Sequence, residues 1–255
     1  MKECGMIFNG EMVRALLDGR KTQTRRIMKV QPSEDFTPMN MALETDYKAR
    51  WYTPGIVDKD GYLQPASKEV FGVSNENEGY SCPFGAVGDR IWVRETFQGP
   101  LFDYDLMDSY CKDPTPFEKP EFCVYKADGV PAPEFYDADD ELHCCWRPSI
   151  HMPRWASRIL LEITNVRVER LNAISPEDAA SEGLERTNFT GFGDEPGLPS
   201  YPEPDVYFDP LKKQWKEYPP EAFAGLWESI YGEGSWQANP WVWVISFKRV
   251  EGGAA

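Results

Sequence analysis

Apolar and polar residues alternate along several stretches of this chain at the two-residue period of a β-strand. The alternation is clearest at residues 90–97, which we expect to form a strand. Residues 157–171 are rich in Ile, Leu and Val and predict one long strand or a bent pair, and residues 241–247 predict a closing strand. Residues 22–28 alternate less clearly and are placed on a strand or its entrance. Shorter strands are expected at residues 7–8 and 122–125.

Helical spacing of apolar residues occurs in fewer places. Residues 11–18 have this spacing and are followed by Gly19, where a left-handed helix stop belongs. Ser175 precedes a proline and two acids, which predicts a capped helix that ends at Gly183. A third helix is expected at residues 220–231, with one apolar face.

The rest of the chain is rich in Pro, Gly, Asn and Asp and lacks periodicity. It predicts loop-rich insertions at about residues 31–80, 98–146 and 187–219. The sequence contains no βαβ series and no Gly-rich phosphate loop. We therefore predict an α+β fold, a small mixed β-barrel with flanking helices, in a single domain that covers residues 1–255.

Charge limits the range of partners. The 255 residues include 27 Lys and Arg against 42 Asp and Glu, a net charge of -15. Counterion release requires an extended basic face, so the charge argues against a protein that coats long duplex DNA. No apolar run approaches the length of about 20 residues that spans a bilayer, and the first residues lack a signal core. We expect a cytoplasmic protein with no membrane partner.

The six cysteines are expected to be thiols in that compartment. Cys144 and Cys145, with His143 and His151 nearby, suggest a zinc site as an alternative. However, no Cys-x-x-Cys pair exists, and adjacent cysteines in a strand point to opposite faces. We predict no metal and no cofactor.

One segment is strongly basic although the chain as a whole is acidic. Residues 14–29 contain six cations and one anion. The cations lie beside the hydroxyls of Thr22 and Thr24, which predicts a local anion site with a potential nucleophile. The alternative is a solvated basic loop.

Four segments in a fixed order resemble the ASCH domain, a relative of the PUA RNA-binding fold. They are DGRKTQTRR at residues 18–26, GD at 88–89, SPEDAASEG at 175–183, and WESIYG at 227–232 with VWVISF at 242–247. The wording of IFNG at residues 7–10 and WRPSIHMPRWA at 146–156 is similar to the long phage or prophage branch of that family. The core segments cover about half of the chain.

The resemblance implies a PUA-like barrel with a cleft for RNA or a nucleoside. Small bacterial members remove the acetyl group from N4-acetylcytidine with a Lys, a Thr and a Glu. Matched segment by segment, these residues are Lys21, Thr24 and Glu182. The cleft would be completed by substrate- or nucleic-acid-binding residues, namely Arg20, Thr22, Arg25, Arg26, Arg154 and Trp155.

Amide hydrolysis needs a nucleophile, a base and donors for the oxyanion. Thr24 could supply the hydroxyl and Lys21 the base, if burial beside Arg20 and Arg25 keeps the amine partly neutral. Residues three apart on a regular strand face opposite sides, so Lys21 and Thr24 converge only across a turn or bulge. Glu182 is either an exposed acid at a helix end or a group that lines the cleft.

Two other functions stay open at this point. One is a non-catalytic reader of RNA or modified DNA, for which residues 146–158 supply a second basic patch and Trp155 a stacking ring. The other is a phage protein that modulates a host factor through an acidic surface. Substrate and oligomeric state stay open as well.

Overall fold

A computed structural model describes residues 1–137, 141–187 and 206–250. The described chain is a mixed α+β structure with many strands and few helices. The acidic stretch at residues 137–141 and the third predicted insertion lie partly outside the described residues, and residues 251–255 lie wholly outside them. No helix in those ranges is both long enough and apolar enough to cross a membrane.

Three of the four described α-helices lie where the spacing predicts them, and the second, within the insertion at residues 98–146, was not predicted. The α-helices are α1 (Gly10–Leu17), α2 (Met107–Lys112), α3 (Pro176–Ser181) and α4 (Pro219–Tyr231). Short 3-10 turns occupy Tyr104–Leu106, Thr115–Phe117, Pro120–Phe122, Lys126–Asp128, Ser149–His151, Arg154–Ala156 and Leu171–Ala173.

The strands are more numerous than the alternation predicts. They are β1 (Glu3–Ile7), β2 (Gln23–Ile27), β3 (Arg50–Tyr52), β4 (Gly55–Val57), β5 (Leu63–Pro65), β6 (Val70–Ser74), β7 (Gly79–Ser81), β8 (Arg90–Arg94), β9 (Phe97–Gln98), β10 (Val124–Tyr125), β11 (Glu134–Tyr136), β12 (Leu142–Cys144), β13 (Leu160–Arg170), β14 (Arg186–Thr187), β15 (Val206–Asp209), β16 (Gln214–Lys216) and β17 (Trp241–Arg249).

The principal sheet has five strands in the order β1-β8-β13-β17-β2. β1 runs parallel to β8, whereas β13 is antiparallel to β8 and β2 is antiparallel to β17. β1 and β2 are its two edges, so within the described residues this sheet is open and no closed barrel is formed. The smaller sheets have two or three short strands each.

The first insertion differs from the prediction of a loop-rich segment. Residues 50–81 contain the antiparallel pairings of β3 with β6, β6 with β7, and β4 with β5. Most of these strands are three residues long and half-exposed or exposed. A strand of that length cannot show a hydrophobic period, which explains why the sequence gives no signal.

The chain divides into two compact units, each assembled from separate segments. The first unit contains Met1–Asp18, Val87–Thr164 and the chain from Phe247. Asn9 begins α1 there, because its side chain accepts a hydrogen bond from the N–H of Met12 at 2.8 Å. One core of this unit consists of Phe97, Tyr125, Met152 and Ala156, with Trp155 packed against it.

The second unit contains Gly19–Ala86 and Asn165–Ser246. Its core lies under α3 and α4 and on one face of β17. Burial of each large apolar side chain in this core, such as a leucine, valine or phenylalanine, contributes about 1.5–3 kcal/mol. The core residues are Leu171, Ile174, Ala179, Leu184, Ala222, Phe223, Leu226, Trp227, Val242 and Val244.

Candidate functional site

Two short segments of the second unit run side by side at the motif residues. Lys21 forms an isolated antiparallel β-bridge with Glu182, and the N–H of Thr22 donates to the carbonyl of Ser181 at 2.9 Å. Gly19, with a φ of 76°, supplies the left-handed turn that precedes Lys21. The basic segment therefore lies against the C-terminal end of α3.

Glu182 occupies the end of that helix. Ser175 caps the start of α3 by accepting the N–H of Asp178 at 3.1 Å, and Gly183 follows the end with a φ of 89°. Both ends of α3 were predicted from the sequence. A carboxylate at this end of a helix is opposed by the helix dipole, so Glu182 needs cations close to it.

Lys21 supplies the first cation. Its Nζ donates to Oε2 of Glu182 at 2.8 Å and to the carbonyl oxygen of the same residue at 2.8 Å. The Lys21 side chain is 0% exposed and that of Glu182 is 3% exposed. An amine and a carboxylate that are 161 residues apart in the sequence thus form a fully buried pair.

Arg25 supplies the second cation and binds the other oxygen. One of its terminal nitrogens donates to Oε1 of Glu182 at 2.9 Å and to the side-chain carbonyl of Gln23 at 2.7 Å. Both carboxylate oxygens of Glu182 are therefore fixed by charged donors. Charge-assisted hydrogen bonds of this kind are about twice as strong as neutral ones.

The network continues from Arg25 towards solvent through two further acids. The guanidinium of Arg25 donates to Oε1 of Glu169 at 2.5 and 2.9 Å and to Oδ2 of Asp178 at 3.3 Å. Arg167 bonds both of those acids in turn. Lys21, Arg25 and Arg167 thereby balance Glu182, Glu169 and Asp178, three charges of each sign.

The protonation of Lys21 is shifted by its environment. Burial lowers the pKa of the Lys21 amine below its ordinary value of 10.5, and the nearby Glu182 carboxylate, which raises the pKa, does not offset this effect. Burial has this sign because it disfavours the charged form of an amine. A lysine of this kind can accept a proton nearer neutral pH than an exposed one.

Thr24 is not part of the same network. Gln23 and Arg25 share one face of β2, since they bond each other, so strand alternation places Thr24 on the opposite face. Thr24 is buried, at 1% exposure, and pairs with Ile245 of β17. Among the described residues, no side-chain hydrogen bond joins Thr24 to Lys21 or Glu182. The structure brings Lys21 and Glu182 together and leaves Thr24 apart from them.

The predicted binding residues of the motif are mostly engaged internally. Arg20 donates to the carbonyl oxygens of Gly183 and Leu184 at 2.9 and 3.1 Å. Arg26 is half-buried on the same face of β2 as Thr24, and Thr22 is exposed. Arg20 and Arg25, which were expected to bind substrate or nucleic acid, thus have hydrogen-bond partners within the unit.

Arg154 and Trp155 belong to the first unit. Nε of Arg154 forms an ion pair with Oε2 of Glu3 at 2.8 Å. Trp155 is half-buried against the Phe97 core rather than displayed as a free ring. These two residues therefore have structural partners within their own unit.

The cysteine and histidine cluster does not assemble as a zinc site in the described residues. Cys144 and Cys145 are exposed thiols. The groups whose ligand atoms approach within 4.8 Å of one another are instead Asp137, Glu141 and His143. Nε2 of His143 already lies 2.7 Å from Oδ2 of Asp137, so this partly exposed cluster is explained by that contact.

Comparison of the chain with protein-family models, with curated proteins and with solved structures finds no significant match. The site is therefore interpreted from its own residues.

Sequence reasoning missed three members of the network. Arg167 and Glu169 alternate with the buried Val166 and Val168 along β13. Two opposite charges at alternate positions of an apolar strand require partners on that face, and this pattern was the available signal. The third is Asp178, which was interpreted only as an acid in the first turn of α3.

Proposed function

We propose that this chain is an ASCH-type hydrolase that removes an N-acyl group from a modified nucleoside such as N4-acetylcytidine. The observation that carries the proposal is the buried Lys21–Glu182 pair, with Nζ and Oε2 separated by 2.8 Å. The motif segments that supply these residues are the ones that resemble the ASCH domain. In this proposal the two residues are the proton-transfer pair of the reaction.

The chemistry follows from the environment of the amine. A base is most effective when its pKa lies near the working pH, and burial moves the pKa of Lys21 in that direction. Glu182 orients the amine, and Arg25 holds the carboxylate in place from its other oxygen. The neutral amine of Lys21 accepts a proton from the attacking group. The resulting ammonium returns that proton to the amino group of the nucleobase as this group leaves.

The same contacts favour a small neutral substrate over a polyanion. Lys21 and Arg25 have no exposed side-chain surface, and their charges are balanced by carboxylates within the network. They are therefore not available to neutralise a phosphate backbone. Because the amine is sealed, a substrate reaches it only when part of the surrounding chain moves aside.

A substitution at Thr24 distinguishes the two candidate nucleophiles, the hydroxyl of Thr24 and a water molecule. If its hydroxyl attacks the acyl group, Thr24→Val abolishes turnover. If a water attacks, Thr24→Val retains turnover, as the position of Thr24 on the opposite face of β2 from Arg25 suggests.

Turnover of N4-acetylcytidine to cytidine, followed by mass spectrometry, tests the proposal. Lys21→Met is expected to reduce kcat/KM by about 10²-fold or more, the usual contribution of a general base. Lys248→Met is the matched control, because Lys248 also pairs with a glutamate at 2.9 Å but is 63% exposed. It should leave turnover unchanged.

Two results would remove the proposal: no turnover by the folded wild type, or equal turnover by wild type and Lys21→Met. Thermal melts establish that each variant is folded. Salt-sensitive binding of oligonucleotides without turnover would instead favour the non-catalytic reader.

A further inference from the structure

A second feature of the same unit is a cavity of about 540 Å³ beside α4. Its walls come from α4, from the β15–β16 hairpin and from two short segments near residues 172 and 236. The volume falls within the range of about 300–1,000 Å³ typical of small-molecule sites. The members of the Lys21–Glu182 network do not line it, so it is separate from the proposed catalytic pair.

Asp209 is the most informative residue of the wall. It is 1% exposed, and its Oδ1 accepts the N–H groups of Leu211 and Lys212, both at 3.0 Å. Among the described residues, Oδ2 has no hydrogen-bond donor, and no Lys or Arg nitrogen lies within 4.0 Å of the carboxylate. Buried carboxylates are almost always paired, so this one has an acceptor left for a ligand.

A glycine in α4 leaves the space that the carboxylate of Asp209 occupies. Gly225 lies in the middle of α4, and a Cβ there would stand 1.9 Å from Oδ1 of Asp209. Only glycine permits this approach, although glycine weakens a helix interior by about 1 kcal/mol. The carboxylate is therefore set deep against the helix at a cost in helix stability.

Rings and charges surround the acceptor. Two aromatic residues, Trp236 and Tyr218, line the cavity, and Trp236 is held by an edge-to-face contact with Phe223. Lys212 and Lys216 come from the hairpin and lie on the same wall. Lys216 is 4.0 Å from Glu221, a pair too long and too exposed to hold the amine firmly.

The remaining acid of the wall is already in use. Oε1 of Glu228 accepts the N–H of Gly234 at 3.1 Å. The cavity thus combines one open buried acceptor, two rings and two amines.

We infer that this cavity binds a nucleotide whose base carries an amino group. The amino group of the base donates to Oδ2 of Asp209, the base stacks on Trp236, and the phosphate lies near Lys212 and Lys216. Stacking on an aromatic side chain and charged contacts to phosphate are the general means by which proteins hold nucleotides. The inference does not depend on the proposed hydrolase activity.

Calorimetry on the full chain with AMP, CMP, GMP and UMP tests it. At least one of the three amino-bearing nucleotides should bind saturably, and UMP should bind at least about tenfold more weakly, because its base presents a carbonyl where the amino group would donate. Asp209→Asn should weaken the tightest of them by about tenfold or more, since the amide can keep the hairpin turn but offers an N–H to the base. Glu221→Gln is the control and should not weaken binding.

A second variant keeps the test decisive if Asp209→Asn does not fold. Lys212→Gln should weaken binding of the nucleotide but not of the corresponding nucleoside, which lacks the phosphate. The inference is overturned if none of the four nucleotides binds up to about 1 mM, the weak end of ligand affinities. It is also overturned if UMP binds as tightly as the others, or if agmatine, a guanidinium compound without base or phosphate, binds more tightly.

Discussion

The substitution Glu182→Gln tests most directly how much the buried ionic network around Lys21 and Arg25 stabilises the fold. It keeps the size of the side chain and removes one negative charge. The wild-type network balances three cations with three carboxylates, whereas the variant leaves three cations with two. Lys21 and Arg25, whose side chains are 0% exposed, then lose a shared partner that water cannot replace.

The expected loss of stability can be estimated from these contacts. Two charge-assisted hydrogen bonds, at 2.8 Å from Lys21 and 2.9 Å from Arg25, share this carboxylate; the amide keeps one acceptor oxygen, so one of them is lost and its donor faces an NH2 group. Each is worth roughly 1.5–3 kcal/mol, and breaking a buried pair from one side costs about 3–5 kcal/mol. We therefore expect the free energy of unfolding of the second unit to fall by about 3–5 kcal/mol.

A double-mutant cycle separates the pair from other effects of the substitution. Lys21→Met in the Glu182→Gln background leaves two cations and two carboxylates, so the double variant should lose less stability than the two single losses combined. A coupling energy of about 2 kcal/mol or more is expected, because residues in one ionic network do not act additively. Urea unfolding followed by circular dichroism provides the values.

Glu162→Gln is the matched control. Glu162 pairs with Lys248 at 2.9 Å, but this pair is exposed, and such pairs contribute about 0–1 kcal/mol. The reasoning would be refuted if Glu182→Gln cost no more than Glu162→Gln, or if the cycle showed no coupling.

Two further substitutions have clear expectations. Gly225→Ala should lower stability by roughly 1–3 kcal/mol, because the new Cβ would stand 1.9 Å from Oδ1 of Asp209 and this overlap outweighs the gain in helix propensity; an unchanged or higher Tm would contradict the contact. Glu95 is buried in the first unit, and this burial raises the pKa of its carboxyl above the ordinary value of 4.5 although Arg158 lowers it. The folded state therefore binds this proton more tightly than the unfolded state, so the stabilisation from Glu95 is complete below pH 4.5 and is lost as the pH rises through the folded pKa. Urea midpoints of wild type and Glu95→Gln should diverge over that range, with the wild type falling relative to the variant, and a constant difference would show that the shift is absent.

The secondary structure was predictable where its signals are local. The stop of α1 at Gly19 and the cap of α3 at Ser175 follow from backbone freedom and hydroxyl chemistry, which act over a few residues. The long strands β13 and β17 also follow from their apolar residues. The hairpins of residues 50–81 were missed because their pairing, rather than their composition, makes them strands.

The Asn9-Gly10 pair shows how one local signal can have two meanings. An Asn-Gly pair is also typical of a turn after a short strand such as the one expected at residues 7–8, but Asn9 is the N-cap of α1 and Gly10 its first residue. Asparagine favours both positions for the same reason, since its side chain accepts a backbone N–H. The sequence alone does not distinguish them.

The candidate site was predictable in its residue types and not in its pairing. The motif indicated Lys21 and Glu182, but their bridge and ion pair are tertiary contacts across 161 positions. The basic character of the segment suggested an anion site, whereas Arg25 and Lys21 are neutralised by Glu169, Asp178 and Glu182. A local excess of charge does not reveal which distant carboxylates will cover it.

The central claim is that the amine of Lys21 acts as the base of an acyl hydrolase, and the pH dependence of kcat/KM for N4-acetylcytidine tests it most directly. The account predicts a rate that rises with pH through an apparent pKa below 10.5, because only the neutral amine accepts a proton. In the residual turnover of Glu182→Gln this rise should move to lower pH, since the carboxylate that raises the pKa of Lys21 is gone. A rise that keeps its position in Glu182→Gln, or that persists in Lys21→Met, would contradict the assignment.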